Sequence, residues 1–197
     1  MRIEPMKGLE DVLLIRPDLH EDDRGYFYEV FNEKEFNEKT NNKYNFHALQ
    51  ENESKSCKGV FRGLHFQKPP YEQAKLVRVL KGFVVDFAVD IRKNSPTFGK
   101  GGLAWLTEEN KCQFFIPRGF AHGFFVLSDE AVFEYKCDNF YNKDSEGGIK
   151  WNDENINIAT DESSQTIDIA TYLAELYEGK LILSEKDKNR ITTLKDL

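Results

Sequence analysis

Between Phe83 and Ile91 the chain alternates without a break: Phe83, Val85, Phe87, Val89 and Ile91 fall on one side of an extended backbone, and Asp86 and Asp90 on the other. Only a strand gives a period of two, so this segment predicts a strand with one buried face and one polar face. Shorter apolar or alternating runs broken by turn residues recur at Asp11–Ile15, Phe27–Phe31, Tyr44–Gln50, Lys58–Phe66, Lys75–Leu80, Gly102–Leu106, Cys112–Ile116, Gly123–Leu127 and Ala131–Cys137. About ten strands at this spacing predict an all-β sandwich or barrel and argue against βαβ units. Helical patterning is confined to two peripheral places. One is Asn32–Thr40; the other is Thr166–Tyr177, where Ile169, Tyr172, Leu173 and Leu176 share a face. The polar run NIATDESSQ that ends at Gln165 reads as a surface loop, an insertion joining the barrel to a C-terminal segment.

At 197 residues the chain has the length of one β domain, and 40% hydrophobic residues are enough for a core. The formal net charge of -7 excludes a broad basic field of the kind that binds nucleic acid. Cys57, Cys112 and Cys137 form no CxxC pair and are odd in number, which suits reduced thiols in a cytoplasmic protein. Met1–Val12 lacks the pattern of an export signal, and no run of apolar residues is long enough to cross a membrane, so a soluble, unexported protein is expected.

Two of the four histidines keep unusual company: His65 in RGLHFQ and His122 in PRGFAHGF. An imidazole serves as base, acid or metal ligand, or simply as a hydrogen-bonded core residue. Arg62 and Lys75 tilt the balance toward function, because cations beside apolar strands call for an anionic partner. Pro117, Gly119 and His122 match the second half of a cupin metal motif. The first half fails, since His65 is followed by Phe66 and Gln67 and only later by Glu72, so no metal is expected. Tyr135, in AVFEYKC, shares a face with Phe133, and Tyr141 follows at a spacing that permits the same side; either is a site residue or a packing residue. There is no GxSxG elbow and no phosphate-cradling glycine loop, so a bound diphosphate would be held by arginine and lysine side chains.

The segments DDRGYFYEVFN, LQENESKS, GVFRGLHFQ, DIRKNSPTFGK, IPRGFAHGFFVLSDEA and EGGIKWND, in that order between Leu9 and Asp153, resemble the dTDP-4-dehydrorhamnose 3,5-epimerases. The resemblance implies a cupin, jelly-roll β-sandwich barrel forming a single domain over 1–197, with residues 1–31 serving as strands and a dimer arm and 154–197 as a variable C-terminal segment. It also implies inversion of carbons 3 and 5 of dTDP-4-dehydro-6-deoxy-D-glucose through an enolate, without a cofactor, with a carbon-3 epimerase or an enzyme of a related 4-keto sugar as alternatives. Matched motif by motif, His65 resembles the catalytic base, Tyr135 the proton donor, Lys75 the cation at the ketone, and Asp187, in LSEKD, the carboxylate that orients His65. Arg62 resembles a phosphate ligand. Gln50, Asn52, His122, Glu146 and Lys186 resemble further substrate contacts, and Tyr141 the residue that stacks on thymine. Arg24, Phe27 and Glu29 resemble positions that reach into the partner's site in a homodimer.

Two features sit awkwardly with that picture. Arg62 and His65 are three apart, so a regular strand points them to opposite faces, and Gly63 is the place where a bulge would reconcile them. After Asp153 the chain departs from the family, with NINIATDESSQTIDIATYLAELYEGK where a shorter passage with a Trp-Pro pair is expected. The register of Lys186 and Asp187 hangs on that segment.

Overall fold

The computed structural model describes residues 1–159 and 166–197. In chain order the strands are β1 (Arg2–Met6), β2 (Leu9–Arg16), β3 (His20–Asp22), β4 (Gly25–Phe27), β5 (Gln50–Cys57), β6 (Phe61–Gln67), β7 (Lys75–Lys81), β8 (Phe83–Asp90), β9 (Lys100–Thr107), β10 (Gln113–Ile116), β11 (Phe120–Val126), β12 (Glu130–Cys137), β13 (Glu146–Gly148), β14 (Asn157–Ala159) and β15 (Thr166–Ile167). The helices are α1 (Glu33–Lys39), α2 (Ile169–Leu176) and the single turn α3 (Glu185–Lys188). One sheet runs β1-β2-β10-β7-β12-β5, and the other β13-β6-β11-β8-β9-β14-β15, while β3 and β4 form a separate hairpin. The two sheets pack face to face as the β-sandwich that the alternation predicts.

Val77, Val79, Phe114 and Phe133 of the first sheet meet Val84, Ala88, Leu106, Phe124 and Val126 of the second. Phe124 and Phe133 stack across the gap with ring centroids 4.1 Å apart. Burying each large apolar side chain contributes about 1.5–3 kcal/mol, so this layer dominates stability.

The expectation that only one face of β8 is buried, the other being polar, is corrected: Asp86 and Asp90 are both 0% exposed. Its inner face carries Val84, Asp86 and Ala88, and its apolar outer face, with Val85, Phe87 and Val89, is covered by the C-terminal segment. There Ile169 and Leu173 are buried, and Tyr172 meets Phe87 edge-on at 6.2 Å. Asp90 is satisfied locally by Arg92, Ser95 and Thr97.

A second lid covers the outer face of the first sheet. Asn32 caps α1 by accepting from the Glu35 amide, and Phe36 packs on Phe115 and Phe46. Strands do not form at Phe27–Phe31 beyond Phe27, nor at Tyr44–Gln50 before Gln50. Phe31 and Phe46 instead pack edge-to-face at 5.8 Å, and the Tyr44 hydroxyl donates to the Asp11 carbonyl. Their apolar spacing records burial under α1, which a loop satisfies as well as a strand.

The loop expected over NIATDESSQ is corrected at its start, because Asn157–Ala159 is β14, running parallel to β9; the rest of that run, 160–165, lies outside the described residues. Thr166 and Ile167 pair with β14, and α2 begins only after Asp168, whose side chain accepts from the Thr171 amide. The chain then returns to β6: the Phe61 amide donates to Ile182 O, and the Ile182 amide donates to Gly59 O. This pairing carries residues 183–188 over the end of the sandwich.

Candidate active site

A cavity of about 480 Å³ lies between the sheets, lined among others by Arg62, His65, Lys75, His122, Tyr135 and Asp187. His65 and Arg62 come from β6, His122 from β11, Lys75 from β7 and Tyr135 from β12, so both sheets supply its walls. Asp187 is the contribution of α3.

The parity problem of Arg62 and His65 is resolved at Gly63. In the β6–β11 ladder His65 pairs with His122 and Arg62 with Phe124, so three steps on β6 match two on β11. That is a bulge, which re-aims side chains. Gly63 has φ +135°, and a β-carbon there would stand 2.6 Å from the Gly123 Cα, so only glycine fits. Arg62, an exposed residue, then lines the cavity, its Nε donating to Ser56 Oγ on β5 at 3.0 Å.

His65 Nε2 lies 2.6 Å from Asp187 Oδ1. Ser184 caps α3 and donates to the other carboxylate oxygen at 2.8 Å. Burial pushes the Asp187 carboxyl upward, but the bonds from His65 and Ser184 and the Arg190 charge outweigh it, leaving it below its ordinary value. Deeper in the cavity His122 Nε2 lies 2.9 and 3.0 Å from the two oxygens of Asp86. Here burial wins, and the Asp86 carboxyl is raised despite His122 and Lys75. Burial also pushes the Lys75 ammonium below its ordinary value, against the opposing charges of Asp86 and Glu146. Its Nζ stands 5.6 Å from the Tyr135 ring. Burial raises the Tyr135 phenol, with Arg62 pulling the other way, so Tyr135 keeps its proton at neutral pH.

Other expected residues are not among those lining the cavity but contact one another. Glu146 accepts from the Tyr141 hydroxyl at 2.8 Å and is ion-paired with Lys186. Gln50 donates to Asn52 and accepts from the Tyr141 amide. Arg24, Phe27 and Glu29 are not brought to this cavity within the chain. Arg24 pairs with Asp22 on the β3–β4 hairpin, and Phe27 is 73% exposed.

Sequence reasoning missed Asp86, Ser184 and Ser56. Asp86 looked like a solvated strand residue, and nothing in its local pattern marks the inner face as the polar one. The SxxD spacing of Ser184 and Asp187 is a capping signal that could have pointed to the bond between them.

The family model described as dTDP-4-dehydrorhamnose 3,5-epimerase matches residues 6–196. The Escherichia coli (strain K12) dTDP-4-dehydrorhamnose 3,5-epimerase is 47% identical over 189 residues, covering 96% of this chain and 92% of that protein. A crystal structure of the Elizabethkingia anophelis dTDP-4-dehydrorhamnose 3,5-epimerase is 50% identical, with TM-score 0.82, covering 98% of this chain and 97% of that one. The Legionella pneumophila dTDP-6-deoxy-D-glucose-3,5-epimerase, crystallised with dTDP-4-keto-L-rhamnose, is 41% identical, with TM-score 0.83 and coverage of 98% and 93%. With a match running through the variable C-terminal segment as well as the sandwich, the chain belongs to the dTDP-4-dehydrorhamnose 3,5-epimerase family.

Proposed function

We propose that this enzyme inverts carbons 3 and 5 of dTDP-4-dehydro-6-deoxy-D-glucose to give dTDP-4-dehydro-L-rhamnose, with His65 as base and Tyr135 as acid. The observation that carries the reading is their placement: His65 on β6 and Tyr135 on β12 face one cavity from different sheets. A flat enolate held between them is deprotonated from one side and reprotonated from the other, which is what inversion requires.

The ketone at carbon 4 acidifies the protons on carbons 3 and 5. His65 takes such a proton, with Asp187 fixing its tautomer and orientation. The negative charge that develops on the ketone oxygen is stabilised by Lys75, whose lowered pKa makes it a better hydrogen-bond donor there. Tyr135, still protonated, delivers a proton to the opposite face. Substrate and product have the same oxidation state, so the cycle needs no redox cofactor. In this reading Arg62, which lines the cavity, takes the diphosphate, and Tyr141, Glu146, Lys186, Gln50 and Asn52, joined to one another by hydrogen bonds and an ion pair, take the nucleotide.

The chain acts, in this reading, as one domain in a cytoplasmic homodimer. The exposed Tyr26 and Phe27 of the β3–β4 hairpin support a partner contact, and Arg24 and Glu29 beside them would then serve the neighbouring site. Among the described residues no helix is long and apolar enough to cross a membrane.

The test is incubation with dTDP-4-keto-6-deoxyglucose in deuterium oxide. Deuterium at both carbons 3 and 5 is expected; label at carbon 3 alone would make this a monoepimerase, and no label would end the proposal. Replacing His65 with Ala or Tyr135 with Phe should abolish turnover while nucleotide binding persists.

A further inference from the structure

Arg190 stands immediately behind the His65–Asp187 pair and has no part in the chemistry described so far. Gly148 lies directly opposite His65 in the β13–β6 ladder, so a side chain at 148 would share the face of the His65 side chain. None exists, and the space is taken: a β-carbon on Gly148 would meet Arg190 Cζ and Nη1 at 2.6 Å. The guanidinium therefore fills the place of the missing side chain, beside the imidazole. Arg190 also follows Asp187 by three residues, and its amide closes on the Asp187 carbonyl at 3.4 Å.

The Arg190 Nε is fully buried and has no hydrogen-bond partner among the described residues. A buried donor without a partner is costly, so packing alone is a poor reason for an arginine there. The nearby Asp187 carboxylate, whose side chain is 3% exposed, gives the charge a use. It is a buried anion kept ionised first by His65, then by Ser184, and last by the Arg190 charge.

We propose that Arg190 is a positioning residue for catalysis, its guanidinium seated in the notch left by Gly148 so that its charge holds the Asp187 carboxylate in place against His65. The proposal rests on the assignment of His65 as base. The other charged or titratable groups around the pair are Glu146 of β13, which interacts with His65, Lys186 of α3, which is ion-paired with Glu146, and, lining the same cavity, Glu53, Arg62, Lys75, His122 and Tyr135.

The experiment compares wild type, Arg190→Gln and Arg190→Lys for kcat, KM and the pH profile of kcat/KM with the dTDP-4-keto sugar. Removing a positive charge makes proton uptake by the pair easier, so in Arg190→Gln the acid limb should move to higher pH by roughly half to one unit. At neutral pH kcat should fall about tenfold with KM nearly unchanged, and Arg190→Lys should restore much of both. An acid limb that stays in place in Arg190→Gln overturns the proposal, whether or not turnover falls, and so does a loss that Lys leaves unrepaired. Should Arg190→Gln fail to fold, Arg190→Met removes the charge while keeping a long unbranched side chain and must move the limb in the same direction. An inactive wild type would instead count against the proposed function.

Discussion

The cavity holds two imidazole–carboxylate pairs whose histidines are direct partners in one ladder, His65 on β6 and His122 on β11. Their surroundings differ in every other respect. The His65 side chain is 32% exposed and that of His122 8%. Asp187 arrives from the C-terminal segment and accepts a second bond from Ser184, whereas Asp86 comes from the neighbouring strand β8 and has His122 on both oxygens. The two carboxyls shift in opposite directions, Asp187 down and Asp86 up. A carboxylate's other donors, more than the imidazole it faces, decide which way it goes. In the proposed mechanism the more exposed pair exchanges protons, while the other is buried.

Substituting the two aspartates separates these roles. Asp187→Asn leaves the shape but removes the charge that orients His65, and kcat should fall by about 10²–10⁴-fold with little change in KM. Asp86→Asn should cost turnover only about tenfold; it disrupts the buried hydrogen bonds to His122 and should lower unfolding free energy by about 1–3 kcal/mol in urea titrations at the acid end of the range, and by less as pH rises. Equal losses of kcat in the two variants would erase the distinction between the pairs.

Much of the sandwich was legible because β7, β8, β10 and β12 bury alternate residues between the sheets. β5 was not, since QENESKSC turns Gln50, Asn52, Ser54 and Ser56 to its less exposed face. That face borders the cavity, and a strand that serves a polar site loses the apolar rhythm that reveals strands. The same reason hid Asp86. At the site, the bulge at Gly63 could be reasoned from spacing, because two residues had to face one ligand. The seating of Asp187 could not, because it depends on backbone pairing of Ile182 with Gly59 and Phe61, which are far away in the chain.

A smaller effect follows from the opposite carboxyl shifts. The lowered Asp187 stabilises the fold above the ordinary carboxylate range, and that contribution is lost as pH falls through its folded value. The raised Asp86 works in reverse, costing stability as pH rises from the ordinary range through its folded value. Chemical denaturation across this acid range should therefore show that Asp187→Asn removes a contribution growing with pH, while Asp86→Asn removes one that shrinks with it. Difference curves of the same slope would mean that the two carboxyls do not sit in opposed environments.

The smallest expected change concerns how the more exposed pair is held. Lys186 neighbours Asp187 on α3 and pairs with Glu146 on β13, but its side chain is 54% exposed, and exposed ion pairs contribute about 1 kcal/mol or less. Ser184 and the Ile182 backbone bonds are better placed to seat the carboxylate, because they are shielded and directional. Lys186→Gln should thus leave kcat within about threefold of wild type and change stability by less than about 1 kcal/mol, while KM rises several-fold through the lost cation at the nucleotide side. A fall in kcat approaching that of Asp187→Asn would reverse this order. The exposed ion pair would then be what holds Asp187 against His65, and kcat of the wild type should itself decline with added salt, as screening of the pair requires.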